Sequence, residues 1–117
     1  MNHGKKRRTL NRTKRQREAL VRGLARSVIL ENGVTTTVAK AKEVRPFIEA
    51  LVTASKKGGI ASRRLIAARL RDAEAVKVLH DKYAKQYASR VGGYTRVVKL
   101  GRIGKRIAEM ARIEFVA

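Results

Sequence analysis

A surplus of positive charge constrains this chain before any pattern does: 29 Lys and Arg stand against nine Asp and Glu, a formal charge of +20 on 117 residues. Self-repulsion at that level opposes compaction unless a polyanion neutralises it. A fold is still within reach, because a 44% hydrophobic content supplies a modest core for one domain. Nucleic acid is the first polyanion to consider, since its phosphates bind Lys and Arg by releasing condensed counterions. An anionic membrane surface is the second.

The charge is concentrated. Residues 1–22 hold Lys5, Lys6, Arg7, Arg8, Arg12, Lys14, Arg15, Arg17 and Arg22 against Glu18 alone. A second block (Lys56, Lys57, Arg63, Arg64, Arg69 and Arg71) contains no acid. Neither does the third, made of Arg90, Arg96, Lys99, Arg102, Lys105 and Arg106. Most acids, among them Glu31, Glu43, Glu49, Asp72 and Asp81, fall between the blocks. Three separated blocks make one binding face only if a fold brings them together.

Residues 1–11 lack apolar periodicity and are expected to form a disordered basic arm that orders on binding. From Asn11, a fitting N-cap, the pattern turns helical, with Leu20, Val21, Leu24, Ala25, Val28 and Ile29 on one stripe. Arg15, Arg22 and Arg26 fall outside that stripe and give the helix a basic outer face. Asn32-Gly33 should stop it, with Gly33 in the left-handed position. The β-branched run Val34–Val38 predicts a strand. A helix over about 39–57 follows, in which Pro46 should cause a kink or a restart. Another is expected over about 61–71, with Leu65, Ala68 and Ile66 inward. Asp72 caps the next, whose Val76, Leu79 and Tyr83 face the core. After a Gly92-Gly93 turn come strands over 94–100 and 110–116, the last with Ala111, Ile113 and Phe115 inward. Residues 101–109 join them as a basic hairpin loop. The order is helix, strand, three helices, two strands. That predicts an α+β fold, with residues 12–117 as a single domain.

Catalysis and metal binding find little here. There is no Cys, hence no disulfide or thiolate ligand. His3 lies in the arm, and His80 beside Asp81 on a helix reads as a surface residue, because adjacent helical residues do not converge. Gly101-Arg-Ile-Gly104-Lys105 lacks the spacing and the hydroxyl of a phosphate-binding loop. It also matches the GXXG of a KH module, but that loop joins helices, whereas strands flank it here. Aromatics at 4% are too few for a base-stacking sheet, and Tyr94 fits a core or edge position better than a base platform. Thr35, Thr36 and Thr37 suit either strand propensity or hydroxyl contacts to phosphate. No apolar run approaches the ~20 residues of a membrane span. The basic start is followed by no apolar stretch of a secretory signal. These readings predict a non-enzymatic RNA binder acting through Lys and Arg, without cofactor, metal or small-molecule substrate. A general nucleic-acid binder and a cationic membrane-active protein are its rivals.

Several blocks then carry a resemblance. Residues 1–12 (Met-Asn-His-Gly-Lys-Lys-Arg-Arg-Thr-Leu-Asn-Arg), Glu18-Ala-Leu-Val-Arg-Gly-Leu24, Thr35-Thr-Thr-Val-Ala-Lys-Ala-Lys-Glu-Val-Arg45, Arg63-Arg-Leu65 and Gly92-Gly-Tyr-Thr-Arg96 with Lys99 occur in order. Together they resemble the family of the seventeenth protein of the bacterial large ribosomal subunit. The resemblance implies helices packed on a small three-stranded sheet, no catalysis and no cofactor. It also implies binding to large-subunit ribosomal RNA beside neighbouring ribosomal proteins near the rim of the peptide exit tunnel, in the cytoplasmic ribosome. By position it nominates His3, Lys5, Arg8 and Arg12 in the arm, Arg15 and Arg22 on the first helix, then Arg63, Arg64, Arg96 and Lys99. Lys6 and Arg7 of the same arm complete the candidate RNA-binding set. Because the basic start aligns with the family's own N-terminus, a cleavable transit peptide is not expected. Asn2 stands where an Arg is usual and Gln16 where a His is usual. The stretch 104–110 lacks the usual Gly-Asp pair, so contacts and hairpin geometry at these places can differ.

Overall fold

The computed structural model describes residues 13–104 and 108–117. Thr13 opens the first element: its hydroxyl accepts from the Gln16 N–H at 3.3 Å, while the Gln16 side chain accepts from the Thr13 N–H at 3.2 Å. This reciprocal capping box starts α1 (Lys14–Glu31) later than a cap at Asn11, which lies outside the described residues. Gln16, noted above for replacing a usual His, therefore serves the helix start. The end of α1 also differs from expectation. Asn32, not Gly33, takes the left-handed position, at φ 65°. A short polar side chain tolerates that region by bonding locally, and the Asn32 Oδ1 accepts from the Tyr83 hydroxyl at 3.3 Å. Gly33 is already a strand residue, and the Arg112 guanidinium lies over it, 2.6 Å from where a Cβ would stand.

β1 (Gly33–Thr37) leads straight into α2 (Val38–Lys57), whose first turn is capped by the Thr37 hydroxyl accepting from the Lys40 N–H at 3.3 Å. Pro46 does not restart this helix, which continues through it. Pro46 and Lys42 are both exposed. The Lys42 carbonyl, deprived of its usual N–H partner at residue 46, is therefore not stranded in the core.

In α3 (Gly59–Leu70), Ile66 and Leu70 are buried, whereas Leu65 is 45% exposed and Ala68 is also outside. Of the three residues expected inward, only Ile66 is. Helical phase decides this: Ser62, one turn before Ile66, donates to the Ala54 carbonyl of α2 and so fixes the 62–66–70 stripe as the inner face.

The Asp72 carboxylate accepts from the Ala75 N–H at 2.9 Å and caps α4 (Ala73–Val78). The rod continues through a π-helical turn, Leu79–Tyr83, into a final α-turn, Ala84–Gln86. Ala75, Leu79, Tyr83 and Tyr87 are all buried, at strict four-residue spacing. On an ideal α-helix such a stripe drifts by about 40° per step. The wider winding of the π turn slows the drift and keeps the three large residues on the core side.

β2 (Thr95–Gly101) and β1 both pair antiparallel with β3 (Met110–Phe115), giving a three-stranded sheet in the order β1-β3-β2. Ala111, Ile113 and Phe115 alternate inward as expected. Alternation and register put Arg96, Val98, Arg112 and Glu114 on the opposite face. Gly101, at φ 75°, absorbs a register shift after Lys99. The order of elements matches the expected α+β arrangement, with helices on one side of the sheet. Among the described residues no helix is long and apolar enough to cross a membrane.

Four aromatic rings weld the rod to the sheet. Tyr83 and Phe115 stack with centroids 3.8 Å apart, and Tyr87 lies 5.2 Å from Tyr94. Burial, helped by Tyr87, pushes the Tyr83 hydroxyl up to about 12, so it stays a neutral donor to Asn32. Tyr94 is 1% exposed, a core residue as the sequence favoured.

The phase of α3 makes Ile66 and Leu65 a sensitive pair. Ile66→Ala should cost about 2–5 kcal/mol in urea unfolding, and Leu65→Ala within about 0.5 kcal/mol; equal costs would mean the helix is rotated from this phase. A second expectation concerns pH. The Ala75 N–H above all holds the Asp72 carboxyl below its ordinary 3.8; burial opposes it, and Arg26 adds to the lowering. A depressed carboxylate stabilises the fold above its unfolded value and loses that contribution as pH falls through the folded one. Asp72→Asn keeps a capping oxygen and removes the charge. Its stability deficit at pH 7 should therefore shrink on acidification to about pH 2, and a deficit that grew in acid would contradict the assignment.

Candidate nucleic-acid interface

Of the candidate RNA-binding residues, His3, Lys5, Lys6, Arg7, Arg8 and Arg12 lie outside the described residues, as do Lys105 and Arg106 of the third block. Arg15 and Arg22 stand on α1, Arg63 and Arg64 on α3, and Arg96 and Lys99 on β2. All but Arg22 are exposed, and Arg22 is half-buried.

The fold brings the first two blocks together. Because α1 packs beside α3, the Arg22 Nε reaches the Arg69 carbonyl at 3.3 Å and donates to it. Around this contact Arg22, Lys42, Arg69 and Arg71 line a groove between α1, α2 and α3. On the other flank of α3, Arg63, Arg64, Arg71 and Lys77 line a second groove against α4. Arg71 borders both. It holds φ 53°, a left-handed conformation that disfavours any residue with a Cβ, as the C-cap of α3. Membership of the second basic block was the only sequence signal for Arg71. Its place between two grooves follows from the α3–α4 corner, which no local pattern shows. Lys42 and Lys77 were likewise not singled out by spacing.

The third block is treated differently. Arg96 donates to the Glu114 Oε2 through Nε at 2.9 Å and through its terminal nitrogen at 2.6 Å. Arg112 Nε donates to the other oxygen at 2.9 Å. The Arg96 hydrogen bonds, then those of Arg112, hold the Glu114 carboxyl below the usual carboxylate range. Arg96 is therefore oriented and part-neutralised, although its side chain is still 58% exposed. Lys99 stands exposed on the same strand. Lys56 links the second block to the third: it donates to the Tyr94 hydroxyl at 2.8 Å and to the Arg90 carbonyl.

Acids elsewhere are also occupied inside the fold. Glu49 of α2 accepts from the N–H groups of Gly93, Tyr94 and Thr95 at 3.0, 3.3 and 2.8 Å, and from the Thr95 hydroxyl at 2.8 Å. Asp72 pairs with Arg26, so this member of the α1 outer face is not a free cation. His80, expected on the surface, is half-buried in the π turn, at the second groove. Its Nε2 is buried without a hydrogen-bond partner, and burial, with Arg63 nearby, pushes the imidazole below 6.5 while Asp81 works the other way. Among the described residues no group of three or more His, Cys, Asp or Glu is placed to hold a metal ion.

Such an arrangement presents fixed guanidinium and ammonium groups around two grooves and a sheet edge, which suits a polyanion more than a reacting small molecule. Residues 20–116 match the family described as ribosomal protein L17. Over 117 residues the chain is 49% identical to the large ribosomal subunit protein bL17 of Rhodopseudomonas palustris (strain BisB18), covering 99% of this chain and 86% of that protein. The bL17 of Bradyrhizobium diazoefficiens is 49% identical over 117 residues, 99% of this chain and 84% of the relative. That of Erythrobacter litoralis (strain HTCC2594) is 43% identical over 116 residues, 99% and 83% of the two chains. Similarity of this extent runs from α1 through β3, across every element that carries the grooves. The chain belongs to the ribosomal protein L17 family.

Proposed function

We propose that this protein is a structural, non-catalytic constituent of the large subunit of the cytoplasmic ribosome, where it holds ribosomal RNA through Lys and Arg contacts to phosphate. The observation that carries the reading is the sorting of charge. Glu49, Asp72 and Glu114 are turned to internal bonds, while Arg15, Arg63, Arg64 and Lys99 remain exposed. Exposed cations on a folded frame bind phosphate without first losing much backbone entropy. Residues 1–11, with His3, Lys5, Lys6, Arg7 and Arg8, extend this surface as a basic arm, and residues 12–117 form one RNA-binding domain. By occupying its place between RNA segments the protein supports subunit assembly and translation. Neighbouring ribosomal proteins near the rim of the peptide exit tunnel complete its surroundings. The role requires no cofactor and no small-molecule substrate.

Sedimentation tests the placement. A tagged copy should travel with the large-subunit fraction of a cell lysate at moderate salt, and its absence there would remove the ribosomal reading. A salt titration tests the mechanism separately. With six to ten phosphate contacts, affinity for purified large-subunit RNA should fall by roughly 10³–10⁵ between about 50 and 200 mM salt. A flat response would show that phosphate contacts are not the main attraction.

A further inference from the structure

We infer that the sheet face turned away from the helices seats the shallow minor groove of an RNA duplex, and that Glu114 is the residue that positions this contact. The inference rests on the RNA-binding reading above. It adds a surface, the kind of RNA structure that fits it, and a role for an acid.

Helices cover one side of the sheet, and the other carries two rows of residues that cross all three strands. Register places Gly33, Glu114 and Arg96 in one row and Thr35, Arg112 and Val98 in the next. Thr35, Arg96 and Val98 are exposed, while Arg112 and Glu114 are half-buried. The surface is low. Gly33 has no side chain, and the Arg112 guanidinium lies over it, its carbon 2.9 Å from where a Cβ would stand. Arg112 therefore leans across β1 instead of rising from the sheet, and Arg96 reaches from β2 to Glu114 on β3.

Two arginines so placed would repel each other and sample many rotamers. The Glu114 carboxylate lies between them and accepts from both, Arg96 on one oxygen and Arg112 on the other. The entropy of ordering these long side chains is thus lost on folding and not on binding. Each guanidinium carries five N–H donors. Arg96 commits two and Arg112 one to Glu114, so the carboxylate takes only a minority of them. Side-chain exposures of 58% for Arg96 and 42% for Arg112 keep both forks within reach of a ligand.

The chemistry of the face selects the ligand. A single strand gripped by base stacking finds no ring here: Tyr83, Tyr87, Tyr94 and Phe115 are buried, and Phe47 stands on α2. A dense phosphate clamp does not fit either, because the two rows set two arginines against one carboxylate. A-form RNA presents a wide, shallow minor groove lined with 2′-hydroxyls and base edges. A flat face with fixed guanidinium donors and the Thr35 hydroxyl matches that pattern. Lys99, farther along β2, is exposed for a flanking phosphate.

Variants of the full-length protein test this against purified large-subunit ribosomal RNA. Arg112→Lys keeps the charge and removes the planar fork. It should bind about tenfold more weakly, with the slope of log affinity against log salt unchanged. Thr35→Val keeps the strand shape, removes the hydroxyl and should bind about threefold more weakly. Glu114→Gln decides the role of the acid, because the alternatives differ in sign. It adds one net positive charge, so an acid that only offset charge would leave the variant binding more tightly. A positioning acid leaves it about fivefold or more weaker. Glu114→Asp, which keeps the charge and shortens the reach, replaces it if the Gln variant loses its circular-dichroism signal, and should also bind more weakly. Hydroxyl-radical footprinting should show riboses on both strands of one duplex protected by the parent protein and reopened by Arg112→Lys. Equal or tighter binding by the folded Glu114 variant would overturn the positioning role. Parental affinity and footprint in Arg112→Lys and Thr35→Val would overturn the RNA contact on this face while leaving phosphate binding elsewhere intact. Failure of the parent protein to bind the RNA would overturn both readings.

Discussion

A single carboxylate ties the helical layer to the sheet. Glu49, near the middle of α2, accepts four hydrogen bonds from three consecutive residues, Gly93 to Thr95, at the point where the chain turns into β2. These N–H groups lie where the strand ladder begins, and those of the buried Tyr94 and Thr95 would be costly to leave unpaired. With the turn held, Tyr94 enters the core beside Tyr87, and Thr95 is buried at 2% exposure with its hydroxyl satisfied. The Lys56 ammonium then sits 4.9 Å from the Tyr94 ring and bonds its hydroxyl. β2 thereby gains its register against β3, and the sheet its alternation of inner apolar and outer charged residues.

This use of an acid has a wider meaning in a chain so rich in cations. Removing a Glu from the surface and pairing it inside the fold both stabilises the fold and leaves the outer field more positive. Asp72 does the same at the α3–α4 corner, where it caps one helix and pairs with Arg26 of another. Glu114 acts differently: on the outer sheet face it fixes Arg96 and Arg112 in place and part-neutralises them. Stability and polyanion recognition thus draw on the same few acids. The cost is self-repulsion in the free protein, which a bound polyanion relieves.

Much of the architecture was legible in the sequence, because apolar periodicity reports burial wherever an element is long enough. The order of helices and strands, the Asp72 cap and the inward alternation of Ala111, Ile113 and Phe115 all followed from spacing and side-chain chemistry. The misreadings share a cause: each depended on a neighbour distant in sequence. Leu65 and Ile66 are equally apolar, and only the contact of Ser62 with α2 selects the inner one. Asn32 takes the left-handed turn in place of Gly33 because Tyr83 supports its side chain while Gly33 already pairs with Glu114 of β3. Pro46 lies inside an unbroken α2 on an exposed face, and the π turn keeps Tyr83 and Tyr87 toward the sheet. Within the interface, the basic blocks were visible as counts of charge, but the meeting of Arg22 with Arg69 and the place of Arg71 between two grooves were not.

By itself, then, the sequence determined the sign of the partner's charge, the class of fold and the absence of any thiol chemistry, since these depend only on which side chains are present and how they repeat. Its ordered motifs also resembled one family strongly enough for full-length similarity to confirm membership. The tertiary structure alone decided which cations are free, which are held by an acid and which surround a cavity. Charge along a chain is additive, but a binding surface depends on distances between residues far apart in sequence. Those distances are set by packing, through the α1–α3 contact and the Glu49 clamp.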